Sequence, residues 1–133
     1  MITHEGIIFD IISTEVRENV PNAYVIGVEL TDTPSQFPAV SITLTNNETN
    51  KRYSTFESVE NCVSEEYKVE ICSNLVEPRE AKEQTYEMLE IIDSIMYGLH
   101  FPRTFCQTIP SADRKITRLV ARYKRDNLTQ EDL

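Results

Sequence analysis

A cysteine, a histidine and two aspartates are the first candidates for chemistry in this chain. Cys106, with His100 and either Asp93 or Asp113, supplies the residue types of a thiol nucleophile, its base and an orienting carboxylate. No recognised local signature surrounds Cys106, and a chain with three cysteines, two histidines and 22 carboxylates contains such a trio by chance. The sequence therefore predicts a protein that is not an enzyme.

The histidines and cysteines do not form a metal-binding pattern. His4 and His100 have no ligand spacing to nearby cysteines. Cys62, Cys72 and Cys106 are an odd set without a CxxC pair, which argues against a structural zinc site and a disulfide framework. We expect buried or idle thiols and no bound metal.

Carboxylates and glycines give no sign of a cofactor. Glu83, Glu87 and Glu90 recur at helical spacing, which resembles a ligand cluster for a hard cation but is more typical of a solvated helix face. The chain has neither GxGxxG nor GxxxxGK[ST], and its three glycines form no phosphate-binding loop. We expect no cofactor.

Net charge is −9, but the charge is unevenly distributed. Residues 1–100 carry six basic and eighteen acidic side chains, whereas residues 101–125 carry seven basic and one acidic. An acidic whole argues against nonspecific binding to nucleic acid or to an anionic membrane. The 133 residues are enough for one domain with a core.

Targeting signals are not apparent. The sequence has no run of about 18 apolar residues, and its opening MITHEG lacks the basic and apolar regions of a secretory signal. We expect no membrane partner, and a chain that resides in the cytoplasm or in something assembled there.

One long amphipathic helix is predicted between Glu77 and Leu99. Pro78 suits its first position, and acidic residues crowd its first turn, where the helix dipole favours them. Its apolar stripe is Ala81, Met88, Leu89, Ile92, Ile95, Met96 and Leu99. Its acidic, solvent-facing residues are Glu80, Glu83, Glu87, Glu90 and Asp93.

Other segments show helical or alternating periods. A first helix is predicted over His4 to Val20, where Ile7, Ile8, Ile11, Ile12 and Val16 recur at helical spacing. Strands are predicted over Ala23 to Leu30, around Val40 to Leu44, over Val63 to Ser73, over Arg103 to Ile109 and over Lys115 to Arg125.

These elements predict an α+β domain of two layers. Their order is α-β-β-β-α-β-β, with a mainly antiparallel sheet of about five strands and both helices on one face. The domain covers residues 1–125, and residues 126–133 read as a flexible tail. The polar stretch 46–62 is either a hairpin arm or a functional loop.

The last strand has one basic face. Arg118, Arg122 and Lys124 alternate with apolar residues such as Leu119 and Ala121. Aromatic residues are not interleaved with them, as a platform for single-stranded nucleic acid would require. The basic face therefore faces solvent, pairs with the acidic helix, or offers a charge for head-to-tail contact between copies.

Short stretches along this order resemble the bacteriophage tail terminator proteins, also called tail completion or minor structural proteins. The stretches are PNAYV, SQFPAVSI, EEYKVEICSN, LHFPRT and ITRLVARY, and the resemblance covers residues 1 to about 125. Members of that family often have glycine where this chain has His100. Histidine tolerates the left-handed backbone conformation better than most residues.

The resemblance implies a virion protein, assembled in the host cytoplasm. Tail terminators form a ring, commonly hexameric, that caps the head-proximal end of the tail tube, ends its polymerisation and joins the tail to the head. The implied partners are other copies, the tail tube protein and head–tail connector or neck proteins, with genomic DNA only passing through the lumen. The alternatives are another neck component, such as a head-closure or adaptor protein, and a small cytoplasmic ligand-binding domain or enzyme.

Two sets of residues are assigned by the resemblance to contacts between subunits or with partners. The strip Arg118, Arg122 and Lys124 would face a neighbour's acidic surface, since strong phosphate binding in the lumen would hinder DNA passage. The arm near 51–56 would reach a tube or neck partner. Its contact residues are Lys51, Arg52, Tyr53 and Phe56.

Overall fold

The computed structural model describes residues 2–30, 34–49, 62–110, 115–129 and 132–133. These residues form two helices and five strands in the predicted order α-β-β-β-α-β-β, which confirms the α+β class. The elements are α1 (Glu5–Asn19), β1 (Tyr24–Ile26), β2 (Ala39–Thr49), β3 (Val63–Ser73), α2 (Pro78–Gly98), β4 (Arg103–Ile109) and β5 (Thr117–Leu128).

Helix α2 begins where the sequence predicts. Pro78 occupies the first turn and Glu80 adds an acidic side chain there, while Glu77 makes no side-chain capping bond. The helix buries one stripe, which is Ala81, Thr85, Met88, Leu89, Ile92 and Met96. That stripe anchors the helix to the sheet.

The end of α2 is a Schellman motif. His100 adopts a positive φ of 64°, its N–H donates to Tyr97 O at 3.0 Å, and the Phe101 N–H donates to Met96 O at 2.8 Å. Phe101 is fully buried and packs edge-to-face on Tyr67, with ring centroids 5.5 Å apart. This turn directs the chain into β4.

The five strands form one mixed sheet in the order β1-β2-β3-β5-β4. β3 pairs antiparallel with β2 and with β5, and β4 pairs antiparallel with β5. The sheet is mainly antiparallel, as predicted, and the exception is β1, which pairs parallel with β2. The connection between Ile26 and Ala39 is twelve residues long, which is enough for a crossover between parallel strands.

Residues of this crossover lie on the sheet face opposite the helices. The Ser41 hydroxyl donates to Val28 O at 2.6 Å, and Lys68 Nζ lies 2.7 Å from Glu29 Oε1. We call this side the outer face. From β2 to β5 it comprises Ser41, Thr43, Glu66, Lys68, Glu70, Cys72, Arg118, Val120, Arg122 and Lys124.

Strand β1 is shorter than predicted, and its middle residue faces the core. Val25 is buried and pairs with buried Val40, whereas Tyr24 and Ile26 are half-buried and pair with residues of the outer face. All three residues of β1 are apolar, so alternation alone does not reveal which side faces the helices.

The core lies between the sheet and the two helices, as predicted. α1 packs on β2 and on α2, and α2 packs on β3 and β5. Burial of each large apolar side chain contributes about 1.5–3 kcal/mol. The fully buried set includes Ile8, Ile12, Ile42, Tyr67, Ile71, Met88, Ile92, Met96, Phe101, Leu119, Tyr123 and Leu128.

The predicted polar segment 46–62 is partly strand. β2 and β3 pair from Ala39 opposite Cys72 to Thr49 opposite Val63, with a register shift after Leu44. Residues 46–49 therefore belong to a hairpin arm. Residues 50–61 lie outside the described ones.

The prediction of a flexible tail from residue 126 is wrong for its first residues. β5 continues to Leu128, which is fully buried and pairs with Val63. The register shifts between Val63 and Glu65, so the two-residue alternation of β5 breaks just before Leu128. Because the bulge interrupts the period, the sequence pattern does not predict the last part of the strand.

Candidate functional surface

The predicted basic residues Arg118, Arg122 and Lys124 lie together on the outer face. Arg118 pairs with Cys72, Arg122 with Lys68, and Lys124 with Glu66 in the β3–β5 register. The residues that alternate with them along β5 are buried under the helices: Leu119, Ala121 and Tyr123. The alternation in the sequence therefore placed the basic strip on the correct face.

Two residues of the strip make ion pairs within the sheet. Arg122 Nη1 lies 3.0 Å from Glu66 Oε1, and Lys124 Nζ lies 3.9 Å from Asp126 Oδ1. Their side chains remain 38% and 41% exposed. Exposed pairs of this kind contribute about 0–1 kcal/mol, so both cations keep most of their capacity to meet another charge.

Arg118 is held differently. Its Nε atom is buried and has no hydrogen-bond partner among the described residues, and the same holds for Oε2 of Glu70, its diagonal neighbour across β3 and β5. Burial raises the pKa of the adjacent Cys72 thiol, and Arg118 opposes that shift. This end of the strip is part of the packed sheet rather than a freely presented charge.

An ion pair ties the β1–β2 crossover to the outer face. The hydrogen bond between Lys68 and Glu29 raises the lysine pKa and lowers the glutamate pKa. Lys68 Nζ also lies 3.4 Å from Glu70 Oε1. The outer face thus carries alternating charges rather than one uniform basic field.

The second predicted contact set cannot be placed. Lys51, Arg52, Tyr53 and Phe56 lie outside the described residues. The strands that lead into and out of that segment, β2 and β3, end side by side at Thr49 and Val63.

Helix α2 presents the predicted acidic face, with one correction. Glu80, Glu83, Glu87 and Glu90 are exposed. Asp93 is instead only partly exposed and bonds to Tyr123 and Arg103 of the sheet. The helical period places Asp93 on the acidic face, but the residue lies at the border between the solvent-exposed face and the face that packs on the sheet.

Asp93 links three elements. Tyr123 of β5 donates its hydroxyl to Asp93 Oδ1, and Arg103 Nη1 of β4 lies 2.8 Å from Asp93 Oδ2. Burial raises the pKa of Tyr123 above its ordinary value, the hydrogen bond to Asp93 raises it further, and Arg103 acts in the opposite direction. The carboxylate therefore has a structural role between α2 and the sheet.

The candidate thiol site is not assembled in the described part of the chain. Both Asp93 oxygens are engaged by Tyr123 and Arg103, and among the described residues no side-chain hydrogen bond joins His100 to Cys106. Asp113 lies outside the described residues. No group of three or more His, Cys, Asp or Glu side chains in the described ranges is arranged to hold a metal ion.

A buried polar network, which the sequence does not predict, joins both ends of the chain to β3. Glu65 accepts a hydrogen bond from Tyr67 at 2.6 Å and contacts His4 Nδ1, while the His4 backbone N–H lies 3.2 Å from the same carboxylate. His4 Nε2 lies 2.9 Å from Thr129 O. That carbonyl only accepts, so Nε2 donates this hydrogen bond.

Exposed apolar residues cluster at the β3–α2 connection. Val76 is 99% exposed and Leu75 40%. A surface cavity of about 360 Å³ lies beside them. It is lined by Asn74, Leu75, Val76, Pro78, Lys115 and Thr117. A single titratable side chain lines it, which does not favour catalysis.

No protein-family model matches the chain, and no curated protein matches it. Among the described residues, no helix is long and apolar enough to cross a membrane.

Proposed function

We propose that this chain is a virion structural protein of the tail terminator type. Copies would form a ring that caps the phage tail tube, ends its polymerisation and joins the tail to the head. The order of helices and strands, on which the sequence resemblance depends, supports this proposal. The proposed partners are other copies, the tail tube protein and neck proteins, within a particle assembled in the host cytoplasm.

The observation that carries the proposal is the placement of charge. Arg122 and Lys124 lie partly exposed on the outer face, whereas the exposed glutamates of α2 lie on the helix side of the same sheet. A surface with opposite charges on different sides favours heterologous contacts, which close into rings when the rotation between copies permits. Arg122 and Lys124 would face an acidic surface of the neighbouring copy.

The proposal is tested by reversing these two charges. We expect Arg122→Glu with Lys124→Glu to weaken ring assembly at least tenfold, because two attractive contacts become repulsive at each boundary. Arg118 is left intact, since its Nε atom is buried and a substitution there would also change the packing of the sheet. Sedimentation velocity measures the assembly, with and without tail tube, and circular dichroism checks the fold.

Lys82→Glu is the matched control, because Lys82 is an exposed cation on α2, above Tyr86 and away from the outer face. We expect the control to assemble like the wild type. Equal assembly of the doubly reversed variant would remove the basic strip from the ring contact. A wild-type chain that stays monomeric beside tail tube would contradict the ring itself.

A further inference from the structure

Strand β4 is an unprotected edge of the sheet. Among the described residues it pairs with β5 alone, and its residues 103–108 are all exposed, while Ile109 is half-buried. No charged or proline residue lies between 104 and 109, although such residues are the usual protection of an edge strand. Phe105 adds a 40% exposed aromatic ring. This edge is a template for a further strand.

The opposite edge of the sheet is β1. β1 and β2 run in the same direction, β3 runs against them, β5 runs with them and β4 runs against them. If two copies meet head to tail with their sheets continuous, β4 of one copy lies antiparallel to β1 of the next. The two edges therefore have compatible directions, once the Arg17 side chain that bonds the Val25 carbonyl is displaced.

The charges near the two edges are opposite. β4 and β5 together carry five basic side chains, Arg103, Arg118, Arg122, Lys124 and Arg125, and one acidic side chain, Asp126. Around β1, residues 15–30 carry three acidic side chains and only one basic side chain. Arg17 Nη2 donates to Val25 O at 3.4 Å, which places the end of α1 beside β1. Contact between unlike edges is attractive, whereas β4 against β4 brings two basic edges together.

We propose that β4 of each copy pairs antiparallel with β1 of the next copy, so that one sheet continues across each subunit boundary. This inference rests on the ring proposed above and names its contact. It also identifies Glu29, in the β1–β2 crossover, as an acidic residue of the next copy on the same sheet face as the basic strip. α2 packs over β3 and β5, at the basic end of its own subunit.

Cross-linking tests the pairing directly. Gln107 of β4 lies on the same face of the sheet as Tyr24 and Ile26 of β1. In a Cys106→Ser background, which removes the exposed native thiol, Gln107→Cys is combined with Tyr24→Cys or with Ile26→Cys. The native Cys62 and Cys72 are buried. Under oxidation we expect one of the two pairs to give a ladder of covalent multimers on non-reducing electrophoresis.

The single-cysteine variants are the matched controls and should give no ladder. A covalent dimer from Gln107→Cys alone would indicate a twofold β4–β4 contact and overturn the inference. The inference would also be overturned if neither cysteine pair gave a ladder under conditions in which sedimentation shows assembled rings.

A second variant needs no new thiol. Phe105→Lys with Thr108→Lys places two charges on the edge strand at exposed positions, and we expect at least a tenfold loss of assembly. Val76→Lys, at a 99% exposed position, is the control and should assemble normally. If the β4 variant still forms rings, the edge pairing is wrong while the ring proposal stands. If the wild type forms no ring even beside tail tube, both fail.

Discussion

Two buried tyrosines each donate a hydroxyl to a carboxylate beneath the helices. Tyr67 bonds Glu65 within β3, and Tyr123 bonds Asp93 of α2. The first carboxylate is also bonded to His4, and the second to Arg103. Glu65 is fully buried and has several partners, which is the condition under which a buried polar group is tolerated, whereas Asp93 is partly exposed. These networks connect α2, the sheet and the start of the chain.

His4→Ala should destabilise the fold by about 3 kcal/mol or more, because Glu65 stays buried but loses the His4 imidazole as a partner. Urea-induced unfolding measures this loss. In a Glu65→Gln background the same substitution should cost clearly less, since the buried charge is already absent. Additive effects of the two substitutions would contradict the coupling between His4 and Glu65.

Stability should fall above pH 10. Burial raises the pKa of Tyr67 above its ordinary value of 10.0, and Glu65 raises it further. The unfolded chain therefore releases the phenolic proton before the folded one does. The contribution of each such tyrosine to the free energy of unfolding is complete below the pKa that it has in the unfolded chain. Above that pKa the free energy of unfolding falls by up to about 1.4 kcal/mol per pH unit for each tyrosine.

Tyr67 and Tyr123 should both contribute to this pH dependence, because burial also raises the pKa of Tyr123. The variant Tyr123→Phe removes the contribution of Tyr123 alone. The difference between the wild-type and variant unfolding free energies should shrink steadily between about pH 10 and pH 11. A difference that stays constant across that range would contradict the assignment.

Among the elements, those with an unbroken period were predictable and those set by distant pairing were not. β3 has the predicted bounds, because polar and apolar residues alternate from Glu66 to Ile71. The parallel pairing of β1 depends on a crossover that no local pattern encodes. The face of the basic strip follows from alternation, but the pairing of Arg122 with Glu66 requires β5 to lie beside β3, its neighbour in space and not in sequence.

The end of β5 is the clearest case of a missed element, and it can be tested. Leu128 is fully buried opposite Val63, so Leu128→Ala should cost about 2–5 kcal/mol. Leu75→Ala, at an exposed leucine, should change stability by no more than about 0.5 kcal/mol. Equal midpoints of urea unfolding for the two variants would contradict the burial of the C-terminal segment.

At the level of the whole molecule, two features bear on the proposed assembly. Asp93 and Glu65 are engaged in structural bonds. The sheet instead offers an unprotected edge at β4 and charges of opposite sign at its two ends. In the proposed ring, head-to-tail contact between copies would join the unlike edges and charges.

Growth of the tail tube in the presence of the chain is the most direct measurement. Tube protein is polymerised with and without the chain, and electron microscopy records tube lengths and tube ends. We predict short tubes that stop growing and carry a ring at one end. Tubes that reach the same length with bare ends, at every concentration of the chain, would contradict the proposed capping function.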